Sequence, residues 1–277
     1  MTIVSIGEIA IDYYKQQNLK FIGGIGLNFA VNAKRSGEQR VSMVSCVGDG
    51  IMGSWALETL LEEKVDISHI SIKKGKTAEI EVEIMENAER FFPAGGYKAN
   101  VLGQLCITNA IQSFITGHDI MVTQFDGVNE NSIVSQILKL QEDRTKCVVD
   151  FGDCSDVSDL RIPSKIFSEI DLAFFSGNED TVELLKPIIK NNNLLIVVTM
   201  GTNGSFAITK PKLYFQPAIK VSKMIDTNGC GDAFQAAFTN YYFRKKNISE
   251  ALFQGANQAA KVLQHYGAFS QVPRSIE

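Results

Sequence analysis

Short, almost continuously apolar segments recur along the chain and predict buried β-strands. They are separated by segments in which apolar residues recur at helical spacing. Strands that are apolar on both faces and connected through helices indicate a mainly parallel sheet between two helical layers. The predicted fold is therefore α/β, with three layers in the order α/β/α. The predicted strands comprise residues 3–6, 41–47, 120–122, 147–151, 172–175 and 194–200, and the predicted helices include residues 53–63, 132–140 and 181–190.

Residues 77–92 have a different pattern, in which apolar and acidic side chains alternate. Aliphatic residues occupy positions 80, 82 and 84, and glutamates occupy positions 79, 81 and 83. Such alternation is typical of strands covered on one face only, and residues 87–89 fit a hairpin turn. The segment 76–100, together with residues 13–22, therefore predicts a small β-sheet that projects from the main domain. An edge extension or a dimer contact is the alternative interpretation.

Chain length and charge narrow the possible classes of protein. A chain of 277 residues, 45% of them hydrophobic, is long enough for one large core with a small appendage, so one domain is expected over residues 1–277. The net charge of −4 gives no basic field, which makes nucleic acid and anionic membrane surfaces poor partners. No segment reaches the ~18 apolar residues that a membrane helix needs.

The cysteine content indicates the compartment. The five cysteines form no C-x-x-C pair, and only three histidines are present. An odd number of cysteines without paired spacing is typical of a reducing compartment, so a cytoplasmic location is expected. The same residues suggest no zinc-type cluster.

A turn of small residues at positions 226–232 ends in a carboxylate and precedes an amphipathic helix. Gly229 and Gly231 stand where the chain enters this helix, so several backbone N–H groups can point at one anion, and the helix dipole adds positive potential there. A phosphate fits such a nest. Asp232 is then placed to accept a proton from a hydroxyl that attacks the phosphate. The alternative interpretation is an ordinary helix cap after a glycine turn.

A second candidate site lies near the amino end. Gly23 and Gly24 allow the backbone to pass close to a ligand, and Asn28 can donate to and accept from hydroxyl groups. Asp12, at the end of an apolar segment, can accept two hydrogen bonds from a sugar diol. Asp12 could equally be a strand-end turn residue. The glycines also suggest a dinucleotide-dependent oxidoreductase, but the third glycine of that fingerprint is missing.

These two segments resemble the two signatures of the ribokinase-like PfkB family of carbohydrate kinases. The first is Gly-Gly-x-x-x-Asn-x-Ala at residues 23–30, preceded by Gly7-Glu8 and Asp12, and the second is Asp-Thr-x-Gly-x-Gly-Asp at residues 226–232. The resemblance implies a three-layer fold with a β-sheet lid over the sugar, formed by residues 13–22 and 76–100. A homodimer contact through the lid is a further expectation. Compared with the family's usual spacing, the run from Gly37 to Gly48 is one residue longer, which predicts a longer surface turn at residues 38–40.

The resemblance also implies an activity, which is transfer of the γ-phosphate of ATP to a hydroxyl of a sugar or sugar adduct. Asp232 would be the base, and the backbone amides of Gly229, Cys230 and Gly231 would hold the transferred phosphoryl group. Cys230 replaces a smaller residue of the usual signature. The detailed resemblance is greatest to family members that phosphorylate fructosamines, although ribose, fructose and nucleosides stay open as acceptors. The acceptor-binding residues implied are Asp12, Gly23, Gly24, Asn28, Thr77 and Arg90.

The nucleotide site is implied in the same way. Residues 199–204 resemble the Thr-x-Gly-x-x-Gly segment that lines the ATP site, and Asn257 and Gly267 resemble the helix and turn beside the adenine. Asn257 could equally belong to a packing helix. The residues that match are Thr199, Gly201, Gly204, Asn257 and Gly267.

The metal position departs from the family's pattern. Asn178-x-x-Thr181 has threonine where the family usually carries a glutamate that helps to hold Mg²⁺ through water. Glu179 or Asp180 could supply the charge, because Mg²⁺ keeps most of its waters. Helix capping by Asn178 is an equally good explanation, and a non-catalytic sugar-binding relative stays open on this ground. A monovalent cation is a further possible cofactor.

Overall fold

The computed structural model describes residues 1–127, 132–139, 145–153 and 164–275. The strands are β1 (Thr2–Ile6), β2 (Ala10–Tyr14), β3 (Leu19–Gly23), β4 (Arg40–Gly48), β5 (Asp66–Lys73), β6 (Ala78–Ile84), β7 (Arg90–Phe91), β8 (Tyr97–Lys98), β9 (Ile120–Gln124), β10 (Lys146–Asp153), β11 (Leu172–Ser176), β12 (Leu195–Thr199), β13 (Ser205–Ile208), β14 (Leu213–Gln216) and β15 (Arg274–Ser275). The α-helices are α1 (Ile25–Arg35), α2 (Ile51–Glu62), α3 (Asn109–Thr116), α4 (Ile133–Leu138), α5 (Ser164–Ser168), α6 (Glu179–Asn191), α7 (Cys230–Lys245) and α8 (Ile248–Val262).

The main sheet has nine strands in the order β14-β13-β12-β11-β10-β9-β1-β4-β5. The seven strands from β12 to β5 are parallel, and β13 and β14 continue the sheet in antiparallel pairing. Each of the six predicted strands lies in this sheet, which confirms the α/β fold class. The predicted helices correspond to α2, α4 and α6; α4 ends at Leu138, and Leu140 lies outside the described residues.

Alternate residues of the parallel strands face two different helical layers. On one face, Ile3, Val41 and Val197 pack with residues of α1, α2, α7 and α8. On the other face, Val4, Val44 and Val198 pack with residues of α3 to α6. Because both faces of the strands are covered, nearly every strand position is apolar, which is why the sequence shows continuous apolar segments rather than alternation.

A second, smaller sheet has the order β15-β3-β2-β6-β7, with β8 also paired to β6. The β2 and β6 pair is parallel, and the other pairs are antiparallel. Tyr14, Phe21 and Val82 form its buried cluster. Residues of both segments predicted for the small sheet lie in it, but the sheet begins earlier, at Ala10. It also gains β15 from the far end of the chain, which no local pattern indicates.

The turn at residues 38–40 was predicted to lie at the surface, and the structure agrees for only two of its three residues. Gln39 and Arg40 are exposed, but Glu38 is only 1% exposed. Its carboxylate accepts hydrogen bonds from the N–H groups of Gln39 and Arg40 at 2.8 and 3.1 Å and from Arg244 at 2.7 Å. These donors compensate the desolvation of the buried charge. Among the described residues, no helix has the length and hydrophobicity needed to cross a membrane.

Candidate active site

The candidate site lies where the order of the parallel strands reverses. From β1 the chain proceeds to β4 and β5 on one side, and later to β9 and β10 on the other. In open α/β sheets, ligands bind beyond the carboxyl ends of the strands at such a switch point. A small cavity opens there, lined by residues from β1 and the β1–β2 loop, α1, β9, β10 and α7, including Glu8, Gly26, Thr123, Asp150 and Gln235.

Asp232 lies in the first turn of α7 and is only 8% exposed. Its Oδ2 atom accepts a hydrogen bond of 2.8 Å from Nδ2 of Asn28. Burial raises the pKa of Asp232 to about 7, an effect that Asn28 opposes and the negative charge of Asp150 strengthens. A carboxylate with a pKa near neutrality is suited to accept and release a proton.

Asn28 has an unused hydrogen-bonding atom at this place. The residue lies in α1 and is 3% exposed, and its Oδ1 atom is buried without a hydrogen-bond partner in the described structure. Buried polar atoms are almost always hydrogen-bonded, so this oxygen is suited to accept a bond from a ligand hydroxyl next to Asp232. The structure thus brings together Asn28 and Asp232, which the sequence separates by 204 positions.

The turn that precedes α7 has a conformation that requires glycine at its last position. Gly229 has φ +75°, and a Cβ atom there would lie 2.1 Å from Cβ of Ala268. A Cβ atom at Gly231 would meet nothing within 4 Å, so the space before this residue is open. The N–H of Cys230 donates to the carbonyl of Thr227 at 3.3 Å, whereas first-turn N–H groups in general lack an intrahelical acceptor. The open space and the helix N-terminus are suited to an anion.

Asp12 lies in β2 and is 3% exposed. Nδ2 of Asn228 donates a 2.7 Å hydrogen bond to its Oδ2 atom. Burial raises the pKa of Asp12 to about 8, the bond from Asn228 lowers it, and the charges of Glu8, Asp226 and Asp232 raise it further. Sequence reasoning missed Asn228, although it occupies the first of the two variable positions of the second signature.

Gly23 and Gly24 are required for a reason different from the predicted one. A Cβ atom at Gly23 would lie 2.2 Å from Oδ2 of Asp12, and one at Gly24, where φ is +97°, would lie 2.7 Å from the nitrogen of Ala10. The sequence predicted that these glycines let the backbone approach a ligand. In the structure, the chain's own atoms fill the side of each glycine on which a Cβ atom would lie, and Gly23 leaves room for the Asp12 carboxylate. Approach of a ligand to the backbone of Gly24 stays a prediction.

Glu8 and Asp150 add two more carboxylates to the site. Burial raises the pKa of both side chains. Glu8 accepts a hydrogen bond from the hydroxyl of Tyr97, which belongs to β8 of the small sheet. Asp150 accepts from the N–H of Gly152 at 2.9 Å and from the side chain of Gln235. Asp150 was missed by the sequence analysis; the available signal was a carboxylate near the carboxyl end of a buried strand.

Thr77 and Arg90, predicted to contact the acceptor, have different environments. Thr77 is 4% exposed, and its hydroxyl accepts a 3.0 Å hydrogen bond from the N–H of Gly48. This contact connects the main sheet to the start of β6. Arg90 is exposed, and its N–H donates to the hydroxyl of Thr227 at 2.9 Å. Its positive charge lowers the pKa of Asp232, so Arg90 lies within electrostatic range of the site.

The predicted nucleotide residues lie on elements at the antiparallel side of the sheet and in the loop after α8. Gly201 and Gly204 bound a 3₁₀ turn after β12, with φ of +55° and +91°. Thr199 ends β12, and its Oγ1 atom lies 3.2 Å from the hydroxyl oxygen of Ser176. Asn257 is half-buried on α8, which packs on β13 and β14. The N–H of Gly267 donates to Asp226 at 2.8 Å and is therefore already used within the protein.

The stretch predicted to support the metal ion forms a helix cap. The N–H of Thr181 donates to Oδ1 of Asn178, and the N–H of Asn178 donates to Oγ1 of Thr181, both at 3.1 Å. This reciprocal pair is the capping box of α6, as the alternative interpretation held. Glu179 and Asp180 are exposed in its first turn. In the described part of the chain, no three acidic, histidine or cysteine residues form a metal-binding group. The residues therefore fit Mg²⁺ only as one or two carboxylates acting through water.

A parallel α/β sheet with a buried carboxylate and an open helix N-terminus at its switch point is suited to phosphoryl transfer. The sequence profile of the pfkB family carbohydrate kinase matches residues 2–274. The chain therefore belongs to this family, and it is a carbohydrate kinase that transfers a phosphoryl group to a hydroxyl. This assignment overturns the oxidoreductase alternative.

Curated relatives and solved structures agree with the family. The chain is 31% identical to fructoselysine 6-kinase of Escherichia coli over 271 residues, which is 97% of this chain and 99% of the relative. It is 30% identical to fructosamine kinase FrlD of Bacillus subtilis over 276 residues, covering 97% of this chain and 93% of the relative. The structure of adenosine kinase from Sinorhizobium meliloti superposes with a TM-score of 0.82 at 15% identity, covering 98% and 96% of the two chains, which supports the ribokinase-like fold.

Proposed function

We propose that this protein phosphorylates the 6-hydroxyl of a fructosamine, such as fructoselysine, with ATP as the donor. The observation that carries this proposal is the similarity, at 30% and 31% identity over 97% of the chain, to two kinases named for fructosamine and fructoselysine. A physical property of the site supports the same acceptor. Sugars alone are neutral, whereas a fructosamine carries an ammonium group next to its sugar ring.

The charge of the site is complementary to that ammonium group. Four carboxyl side chains with raised pKa values lie around the site, and each affects or is affected by the charge of another: Glu8, Asp12, Asp150 and Asp232. Arg90 is the cation whose charge acts on Asp150 and Asp232. A cationic acceptor would offset the unfavourable burial of these carboxylates, which a neutral sugar cannot do.

In the proposed mechanism, Asp12, Gly24 and Asn28 orient the acceptor, and Asp232 removes the proton from its hydroxyl. The hydroxyl oxygen forms a bond to the γ-phosphorus as the bond to ADP breaks, and the proton stays on Asp232 until release. First-turn amides of α7 stabilise the negative charge of the transferred group, with the open space at Gly231 as its position. Bound Mg²⁺ would neutralise charge on the nucleotide phosphates.

The nucleotide is proposed to lie along Thr199, Gly201 and Gly204, with Asn257 and the Gly267 turn beside its base. Glu179 and Asp180 would support Mg²⁺ through water, and a monovalent cation is a further proposed cofactor. The four cysteines among the described residues are free thiols, which supports the proposed cytoplasmic location.

The small sheet is proposed to be a lid over the acceptor. Arg90 would contribute from β7, and Thr77 would contribute from the position directly before β6. Phe91, Phe92 and Tyr97 of this region are 50%, 42% and 46% exposed. Aromatic side chains with this exposure are suited to an interface, which supports a homodimer formed through the lid.

The test is ADP release from Mg-ATP across acceptors that differ in charge: fructoselysine, a fructosamine of a neutral amino acid amide, fructose, ribose and adenosine. We expect kcat/KM to be highest for the fructosamines, by at least about tenfold, and NMR of the product to place the phosphate on the 6-oxygen. Higher kcat/KM for ribose, fructose or adenosine would replace the proposed acceptor. Nucleotide and sugar binding without turnover on any acceptor would instead indicate a non-catalytic relative.

A further inference from the structure

Asn228 lies in the second signature and forms hydrogen bonds with residues of the candidate site. The proposed mechanism gives it no role. Its backbone N–H donates to Oδ1 of Asp226 at 2.7 Å, which fixes the turn. Its side-chain Nδ2 atom donates to Oδ2 of Asp12 at 2.7 Å and to the hydroxyl of Tyr14 at 3.0 Å. Asn228 is 6% exposed, so both side-chain bonds are protected from water.

The bond from Asn228 to Asp12 connects two separate parts of the molecule. Asp12 belongs to β2 of the small sheet, and Asn228 belongs to the turn that carries Asp232. The hydroxyl of Tyr14 extends the connection, because it donates to Oδ2 of Asp226 while the N–H of Gly267 donates to the same oxygen. Asp226 and Tyr14 are both fully buried. The side-chain amide of Asn228 is therefore one member of a water-protected network that ends at Asp12.

Asp12 needs such a donor because its surroundings are otherwise negative. The titratable groups that act on it in the described structure are Glu8 from the β1–β2 loop, Asp226 from the turn, Asp232 from α7 and its neighbour Tyr14. Three of these are carboxylates. The bond from Asn228 is the contact that favours the ionised form of Asp12, which is the form that accepts two hydrogen bonds from a diol.

We propose that Asn228 is a positioning residue, whose side-chain amide holds the Asp12 carboxylate against the turn that precedes α7 and thereby fixes the acceptor hydroxyls relative to Asp232. This inference rests on the proposed function, in which Asp12 binds the acceptor. Asn228 has no contact with the transferred phosphoryl group in this proposal. Its effect is on acceptor binding and on the ionisation of Asp12.

The test is Asn228→Ala, which removes the side-chain donor but keeps the backbone bond to Asp226. A hydrogen bond to a charged group changes an equilibrium constant by about 10- to 100-fold. We expect KM for the acceptor to rise at least about tenfold, with kcat within about threefold of wild type and KM for ATP unchanged. Because the pKa of Asp12 rises without its donor, the acid limb of kcat/KM is expected to move to higher pH.

The matched control is Asn240→Ala. Asn240 is also a buried amide, 4% exposed on α7, and its Nδ2 atom donates to the carbonyl of Ser36 at 3.0 Å, away from the site. Its loss is expected to lower the melting temperature without changing KM or the pH profile. If Asn228→Ala does not fold, Asn228→Ser is the second variant, because it leaves space for a bridging water. Its KM for the acceptor is expected to rise less than that of Asn228→Ala.

A second measurement is independent of the acceptor. Carboxyl ¹³C NMR of the free enzyme, assigned through Asp12→Asn, is expected to give a higher pKa for Asp12 in the Asn228 variants than in wild type. Unchanged KM together with an unchanged titration of Asp12 would overturn the inference. Wild-type enzyme that is inactive on fructosamines would overturn the proposed acceptor alone, because the NMR titration would still decide the role of Asn228.

Discussion

The proposed chemistry of this protein depends on how individual carboxyl groups are buried. Asp12 and Asp232 are each accompanied by one amide donor, Asn228 and Asn28, at 2.7 and 2.8 Å. The pKa values are about 8 and about 7, so both groups change charge near neutral pH. In the proposed mechanism, the amide of Asn28 keeps Asp232 available as a base, since a hydrogen bond to the ionised form opposes the effect of burial on the pKa.

Asp232→Asn tests the base directly. The substitution keeps the shape of the side chain but removes its ability to accept the proton, so kcat is expected to fall at least ~10²-fold while nucleotide binding is preserved. In wild type, kcat/KM is expected to rise with pH between about 7 and about 8, because Asp232 as the base and Asp12 as the acceptor of the diol hydrogen bonds both act in their ionised forms. Steady-state kinetics between pH 5.5 and 9 check the loss of kcat and the pH profile, and nucleotide titration checks that nucleotide binding is preserved. Near-normal turnover in the variant would exclude Asp232 as the base.

At the scale of elements, the entry to α7 is the feature on which the site depends most. Its helix could be predicted because Phe234, Ala237 and Phe238 recur at helical spacing, and all three are buried. The turn geometry could be predicted only in part. Sequence alone indicated that glycines were needed, but the reason for Gly229, contact with Ala268 from the loop after α8, required the folded chain.

Gly229→Ala and Gly231→Ala separate folding from catalysis in this turn. At Gly229 the added Cβ atom meets Ala268 and the backbone has positive φ, so the free energy of unfolding is expected to fall by about 2 to 5 kcal/mol. At Gly231 the space is open, so stability is expected to change little while kcat falls because the methyl group narrows the anion site. Denaturant unfolding and turnover of the two variants check this; equal stability losses would contradict it.

At the scale of the whole molecule, two sheets must meet for the site to form. The main sheet supplies the switch point and Asp150, whereas the small sheet supplies Asp12 and the Tyr97 hydroxyl that donates to Glu8. Alternating residues at 79–84 predicted that this second sheet exists. They could not predict the parallel β2 and β6 pairing or the addition of β15, since pairing partners are decided by long-range packing.

Tyr97→Phe tests whether the small sheet acts on the acceptor site. Loss of the bond to Glu8 is expected to raise KM for the acceptor by about three- to tenfold, since Tyr97 is half-exposed and the bond is partly screened. The melting temperature and KM for ATP are expected to stay close to wild type. Tyr13→Phe, on β2 of the same sheet, is the control. A change in KM for ATP alone would place Tyr97 with the nucleotide instead.

The sequence by itself determined the α/β architecture, because strands covered on both faces must be apolar throughout, and it determined the two glycine-rich signatures. It also indicated Asp232 and Asn28, whose residue types suit proton transfer and hydroxyl binding. Only the tertiary structure decided that Asn28 bonds to Asp232 and Asn228 to Asp12, across 204 and 216 positions of the chain. Such contacts leave no periodic signal, since they arise where distant elements pack together. Capping of α6 by Asn178 is a local feature that the sequence left open beside a metal-supporting role, and the reciprocal bonds of Asn178 and Thr181 decided for the cap.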